Sequence, residues 1–308
     1  MSNAQLLQAQ QSPEYIAAQK IQRTKRRQIA FFRHTAVIII TVLVLLPVWF
    51  VVATALSGQE SLVRELMPEK FANNNFQTLF NSDRINYTDW VKNSLMVGAI
   101  TAALNVLIGG FGAYAFSRLR FRGRRATLLS LLMVQVFPSF LALTAIFYIM
   151  SFITDYFPAI GIGTPWALII VYTGGALGIN AWLIKGFFDT LPKELDESAM
   201  IDGANHSQIF FKIVLPLALP ALAVVFMLSF IGTLNDFVLA RVLLGPDAEN
   251  QTLAVGLYQF VNSGPGQYQE RWGAFCAGAF LASVPVVIIF ISLQRFIVSG
   301  LTAGSVKG

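Results

Sequence analysis

From Thr35 to Leu56 the chain runs for 22 residues without a charged side chain, T-A-V-I-I-I-T-V-L-V-L-L-P-V-W-F-V-V-A-T-A-L. A helix of that length reaches about 33 Å, enough to cross a hydrocarbon core of about 30 Å. Five further runs of this kind follow, at residues 94–116, 126–150, 164–184, 213–234 and 272–293, and none contains Asp, Glu, Lys or Arg. The absence of charge is meaningful because one such side chain at a helix centre costs about 2.5–3.5 kcal/mol on insertion. With 55% hydrophobic and 12% charged residues over 308 positions, there is too little charge to cover a soluble surface. The expected fold class is an all-α integral membrane protein with six transmembrane helices. Pro47, Pro138, Pro216, Pro220 and Pro285 fall inside these spans, where neighbouring helices can satisfy the freed carbonyls. Small residues at Gly109, Gly110, Gly112, Gly174, Gly175 and Gly178 let helices approach closely, and packing is their expected use.

Residues 1–34 form a polar tail in which Lys20, Arg23, Lys25, Arg26, Arg27 and Arg33 stand against Glu14. A basic amphipathic segment lying on anionic lipid is the expectation, with a solvated tail as the alternative. Ala53-Thr54-Ala55 imitates a signal-peptide cleavage site. The tail is too long for that, and the apolar run exceeds the roughly 7–15 residues of a signal core, so the first helix stays. With six spans and an inside N-terminus, 16 of the 22 Lys and Arg fall on inner segments and six on outer ones. That asymmetry places both termini in the cytoplasm. The outer loops, 57–93 and 235–271, read either as caps on the bundle or as receiving surfaces. Neither reading is favoured by their composition, including the stretch Asn262-Ser263-Gly264-Pro265-Gly266-Gln267-Tyr268.

Between the fourth and fifth spans lies a different kind of segment, the loop 191–216. Pro192 suits a first helical position, and Glu194, Asp196 and Glu197 follow in the first turn, where the helix dipole favours negative charge. Leu195, Ala199 and Met200 give this short helix an apolar face. Gly203 can adopt positive φ and end it, and Asn205 is a candidate N-cap for a second helix carrying Ile209, Phe210 and Ile213. A DNA-reading helix-turn-helix has a similar outline, but here both ends are tethered to spans and the first helix is acidic where phosphate demands basic charge. No nucleic-acid partner is expected. A plain surface connector is the remaining bland reading.

The chain contains no G-x-x-x-x-G-K-[ST] phosphate loop. Its single Cys276 and two histidines, His34 and His206, supply neither a metal cluster nor a nucleophile–base pair. No carboxylate lies within a span, which argues against a proton- or sodium-driven carrier. The protein is therefore expected not to be an enzyme itself, and to hold no cofactor or metal. Side chains suited to a polar path through the bundle, an aromatic face or a hydroxyl or amide partner, are Asn105, Tyr114, Gln135, Ser139, Tyr172, Asn180, Ser229 and Asn235. For each, helix packing is the competing role. The arginines at 118, 120, 122, 124 and 125 read as a topology anchor.

Glu197-Ser198-Ala199, three residues, Gly203, nine residues, then Ile213-Val214-Leu215-Pro216 resembles the E-A-A-x3-G-x9-I-x-L-P loop of ABC importer permeases. Ser198 stands where the family usually has Ala. Gly300 to Gly308 (G-L-T-A-G-S-V-K-G), Thr252-Leu253-Ala254-Val255-Gly256 and Ala113-Tyr114-Ala115-Phe116-Ser117-Arg118 are similar to MalG-type subunits of maltose and maltodextrin importers. The resemblance covers nearly everything after about residue 35. It implies a binding-protein-dependent, type I ABC importer permease fold in a bacterial inner membrane, with the loop as a cytoplasmic coupling helix. Leu195, Glu197, Ser198, Ala199, Met200 and Gly203 would then dock on a separate ATPase subunit, which binds the ATP. The implied partners are a second (MalF-like) permease subunit, a dimer of the (MalK-like) ATPase, a periplasmic sugar-binding protein and membrane lipid. The implied substrate is maltose or maltodextrin, the alternative being another oligosaccharide or glycerol phosphate.

Overall fold

The computed structural model describes residues 13–303 apart from 64, 66, 82–85, 246 and 263–270. Residues 1–12 of the basic tail, the Ser263–Tyr268 part of the outer loop and residues 304–308 of the C-terminal motif lie outside the described residues. The described chain is helical, with one isolated bridge between Ser57 and Phe71. Its helices are α1 (Pro13–Ala55), α2 (Asn74–Asn81), α3 (Tyr87–Arg118), α4 (Arg124–Val136) and α5 (Ser139–Tyr156). They continue as α6 (Pro165–Gly174), α7 (Ala176–Phe188), α8 (Glu194–Ile201), α9 (His206–Leu217) and α10 (Leu219–Asn235). The last three are α11 (Val238–Leu244), α12 (Leu253–Asn262) and α13 (Trp272–Ala303).

The fold is organised on α3, a proline-free helix of 32 residues packed against α6, α7, α10 and α12. It contributes to all three apolar clusters of the bundle. Tyr87 and Trp90 join Leu257, Phe260 and Ala277 at one end. Val97 meets Leu168, Leu243 and Val255 in the middle. Ala113 and Tyr114 close on Ile184, Phe188, Ile209 and Phe210 at the other end. Close helix approach is needed at Gly112, where an added Cβ would come 2.6 Å from Leu177, and at Gly178, where it would run into the Gln135 side chain. Gly174 has open space around it instead; its place is at a helix end. By contrast α1 leans on α13, and most of its apolar side chains from Val37 to Val48 are more than half exposed. A surface of that kind is stable against lipid and costly in water.

Among the described residues, three helices are long and apolar enough to cross a membrane, and up to six spans result if each of three bent helix pairs counts as one. Three of the six expected spans are thus bent pairs and not single helices. The run 126–150 is divided between α4 and α5, which meet at 101° beside Pro138. The ring of Pro138 removes a donor and disfavours the helical conformation of the residue before it, and Phe137 takes extended φ −66°, ψ 127°. The run 164–184 bends by 41° between α6 and α7, and the run 213–234 starts within α9 and turns by 77° into α10 at Ala218, between Pro216 and Pro220. Among the described residues the first helix already runs from Pro13, so it takes in basic-tail positions as well as the first apolar run.

Candidate functional site

Most of the expected site residues lie in two places, the loop around α8 and a cleft beside α3. In the loop, α8 starts at Glu194, two residues after the first helical position suggested for Pro192, with Lys193 as its N-cap and Glu194, Asp196 and Glu197 in the first turn. Gly203 ends it with φ +84°, its N–H donating to the Met200 carbonyl at 3.0 Å while Ala204 N–H reaches the Ala199 carbonyl at 2.9 Å. The next helix opens with a reciprocal cap: Gln208 N–H donates to Asn205 Oδ1, and Asn205 N–H to Gln208 Oε1, both at 2.9 Å. Both turn signals are local, which is why spacing alone located them.

The two faces of α8 divide the expected docking residues. Leu195, Glu197, Ser198, Met200 and Gly203 are exposed. Ala199 turns inward and is buried with Ile184, Phe188 and Ile209. The exposed apolar edge gains a residue that the sequence reading passed over, Ile201, which is 86% exposed.

Asp196, one turn before Ala199 on the same face, is also buried, and its Oδ2 lies 2.7 Å from Nε of Arg118. Arg118 thus separates from its neighbours: Arg120, Arg122 and Arg125 are exposed, whereas its own side chain is 5% accessible. Burial pushes the Asp196 carboxyl above the ordinary aspartate range, with Arg118 and His206 pulling it back. Arg118 Nη2 also donates to the Leu191 carbonyl at 3.0 Å. Beside it, Ser117 Oγ donates to Asp189 Oδ1 at 2.6 Å, and Lys185 Nζ to Oδ2 at 2.5 Å. Burial alone would raise the Asp189 carboxyl, but these two hydrogen bonds outweigh it and hold it below the ordinary range. Tyr114 belongs here too: its hydroxyl is 3.5 Å from His206 Nδ1, and its ring packs edge-on against Phe210.

The cleft, of roughly 370 Å³, lies between α3, α6, α7 and α10. It is lined by Thr101, Asn105, Tyr172, Ile179, Asn180, Leu183, Leu228, Ser229, Gly232, Thr233 and Asp236. Four of the eight residues expected on a polar path therefore converge here: Asn105, Tyr172, Asn180 and Ser229. The others do not. Tyr114 serves the loop end, Gln135 lies over Gly178, and Asn235 is exposed at the end of α10. Ser139 opens α5, and its side chain lies outside the described residues.

Asp236, assigned to an outer loop by the sequence reading, faces the cleft instead. Its Oδ1 accepts from the N–H groups of Leu239 and Ala240, at 3.1 and 3.2 Å, at the start of α11, and its carboxylate lies beside the Tyr172 hydroxyl. Thr101 Oγ1, Asn105 Oδ1 and Ser229 Oγ are buried without a hydrogen-bond partner among the described residues. Unmet buried polar groups cost about 1–3 kcal/mol each. A hydroxyl-rich solute entering the cleft could satisfy them, and no basic residue lines it.

A helical bundle with a polar seam and an amphipathic helix carried between bent helices defines a transport subunit. The chain belongs to the family of binding-protein-dependent transport system inner membrane components, matched over residues 86–302. It is a type I ABC importer permease that resembles MalG. Over 295 residues it is 38% identical to the galactooligosaccharides transport system permease protein GanQ of Bacillus subtilis (strain 168), covering 95% of this chain and 100% of that one. It is 44% identical over 219 residues to the maltose/maltodextrin transport system permease protein MalG of Photorhabdus laumondii, covering 71% and 72% of the two chains. Among solved structures, a bacterial ABC transporter involved in import of the acidic polysaccharide alginate matches with a TM-score of 0.73 at 21% identity, over 88% of this chain and 97% of that one. That likeness concerns the fold. The relatives are permease proteins of sugar transport systems, and the chain is a sugar ABC importer permease subunit.

Proposed function

We propose that this subunit forms half of the path for maltose or maltodextrins across a bacterial inner membrane, with both termini and α8 in the cytoplasm. The observation that carries the reading is the cleft, where hydroxyl, amide and carboxylate groups converge among apolar helices in a relative of maltodextrin permeases. Solute arrives from a periplasmic sugar-binding protein, and a second permease subunit completes the path. ATP is held by a separate ATPase dimer. On the ATPase side, Leu195, Met200 and Ile201 supply the apolar contact, Glu197 a charge-assisted hydrogen bond, and Ser198 and Gly203 close approach, with Ala199 supporting the helix from behind. When the ATPase closes on ATP, α8 moves with it and the helix pairs tilt as rigid bodies between two packed states.

A second reading, galactooligosaccharides, is favoured by the end-to-end match to GanQ. The test is to copurify the complex from detergent, reconstitute it with its binding protein, and compare ATP hydrolysis stimulated by maltotriose and by a β-galactotriose. Stimulation by maltotriose supports the first reading, and stimulation only by the galactoside transfers the cleft to the second. If no ATPase copurifies, the assignment of α8 is wrong.

A further inference from the structure

The chain connects α8 to the cleft by two covalent routes. One runs back through α7, whose Leu183 lines the cleft on the near side of the π-helical turn Ala176–Asn180 and the 41° bend. The other passes through α9 and the 77° bend at Ala218. Beside them, α3 runs unbroken from the loop to the cleft. Arg118 is its last residue, and Asn105, thirteen residues earlier, is about 20 Å away along the axis at 1.5 Å per residue.

We propose that the Arg118–Asp196 ion pair is the joint through which movement of α8 enters α3, so that a docked ATPase displaces Thr101 and Asn105 in parallel with the covalent routes. This rests on the reading of α8 as the docking helix. Both side chains are almost fully buried, at 5% and 8% accessibility. A buried pair leaves a costly bare charge when its partner withdraws, so Asp196 cannot leave Arg118 without penalty and α3 follows. The contact is single, through Nε and Oδ2. Arg118 Nε and Nη1 and Asp196 Oδ1 all lack a hydrogen-bond partner among the described residues, so the contact is an ion pair without hydrogen-bond alignment, which can pivot where a bidentate fork would resist rotation. The surrounding bonds, Ser117 to Asp189 and Arg118 to the Leu191 carbonyl, clamp the segment leading into α8 to the same end of α3. Arg118 and Asp196 are positioning residues; neither faces the cleft nor belongs to the exposed edge of α8.

The test uses the complete reconstituted complex with its binding protein and maltotriose as the probe, and measures sugar transported per ATP hydrolysed. Asp196→Asn should still copurify the ATPase and hydrolyse ATP near the wild-type rate, with transport per ATP lowered at least tenfold. The exchange of charges, Arg118→Asp with Asp196→Arg, should transport more sugar per ATP than either single variant. A ratio for Asp196→Asn within twofold of wild type overturns the joint. Should Asp196→Asn fail to insert, the exchanged pair decides: recovery of insertion with recovered coupling supports the joint, and insertion without coupling overturns it. If wild type itself copurifies no ATPase, the docking reading fails first and takes the joint with it.

Discussion

Gly203 offers a direct measure of how much the corner after α8 contributes to docking. Its φ is +84° and nothing lies within 4 Å of the position a Cβ would take. Gly203→Ala therefore introduces strain with no steric clash, about 1–2 kcal/mol for an L-residue in the left-handed region. If the free loop relaxes out of the strained corner and docking restores it, the ATPase binds about 5–30-fold more weakly. Gly203→Pro is harsher. The ring fixes φ near −65°, and the N–H that now donates to the Met200 carbonyl at 3.0 Å is lost, so complex formation should fall by more than about 100-fold. Gly163→Ala is the matched control: φ is +89° and no atom lies within 4 Å of its Cβ position, but it precedes α6, at the far end of the α6–α7 pair. The assay is titration of purified ATPase against permease complex in nanodiscs. Gly163→Ala should bind within twofold of wild type. Equal weakening by both alanine variants would mean that the loss is global, and an unchanged affinity for Gly203→Ala would mean that the corner is not part of the docked conformation.

Thr101→Val removes a buried hydroxyl that has no partner among the described residues at nearly constant volume. Thermal stability should hold or rise while sugar flux falls, as followed by unfolding in detergent and by vesicle uptake. Gly256→Ala would bring a Cβ to 2.2 Å from Trp90 Cδ2, inside a cluster where the indole is buried. Overpacking of this kind costs about 1–3 kcal/mol, read as a lower unfolding midpoint with no change in ATPase affinity. Asp189, held below the ordinary carboxylate range, contributes stability that is fully present above about pH 4 and lost as pH falls through its depressed value. Asp189→Ala should therefore be less stable than wild type at pH 7, the difference shrinking in acid. A difference that grows in acid would contradict the Lys185 and Ser117 contacts.

Much of the loop was legible before any coordinates. A glycine after an apolar-faced turn and an Asn three residues before a Gln are short-range signals, and Gly203 and Asn205 adopt the conformations that those signals specify. The inward face of α8 was harder to read. Offsets of three and four put Asp196, Ala199 and Met200 near one another, but only the packing against α3 decides that Ala199 and Asp196 turn in while Met200 turns out. Arg118 was hidden in a run of five arginines, since composition cannot tell the one that is buried from those that meet solvent. Asp236 was missed for a related reason: it follows the last apolar residues of α10 by sequence, yet its capping of α11 swings the carboxylate toward Tyr172.

The sequence alone determined that the chain is a helical membrane protein and where its one amphipathic interruption lies, because the cost of charge in hydrocarbon and the sign of φ are properties of individual residues and short windows. The tertiary structure decided which polar side chains share a cleft, which helices bend, and which arginine meets which aspartate. Those outcomes depend on the rotation and crossing of helices that are distant in the chain, and no local pattern encodes them.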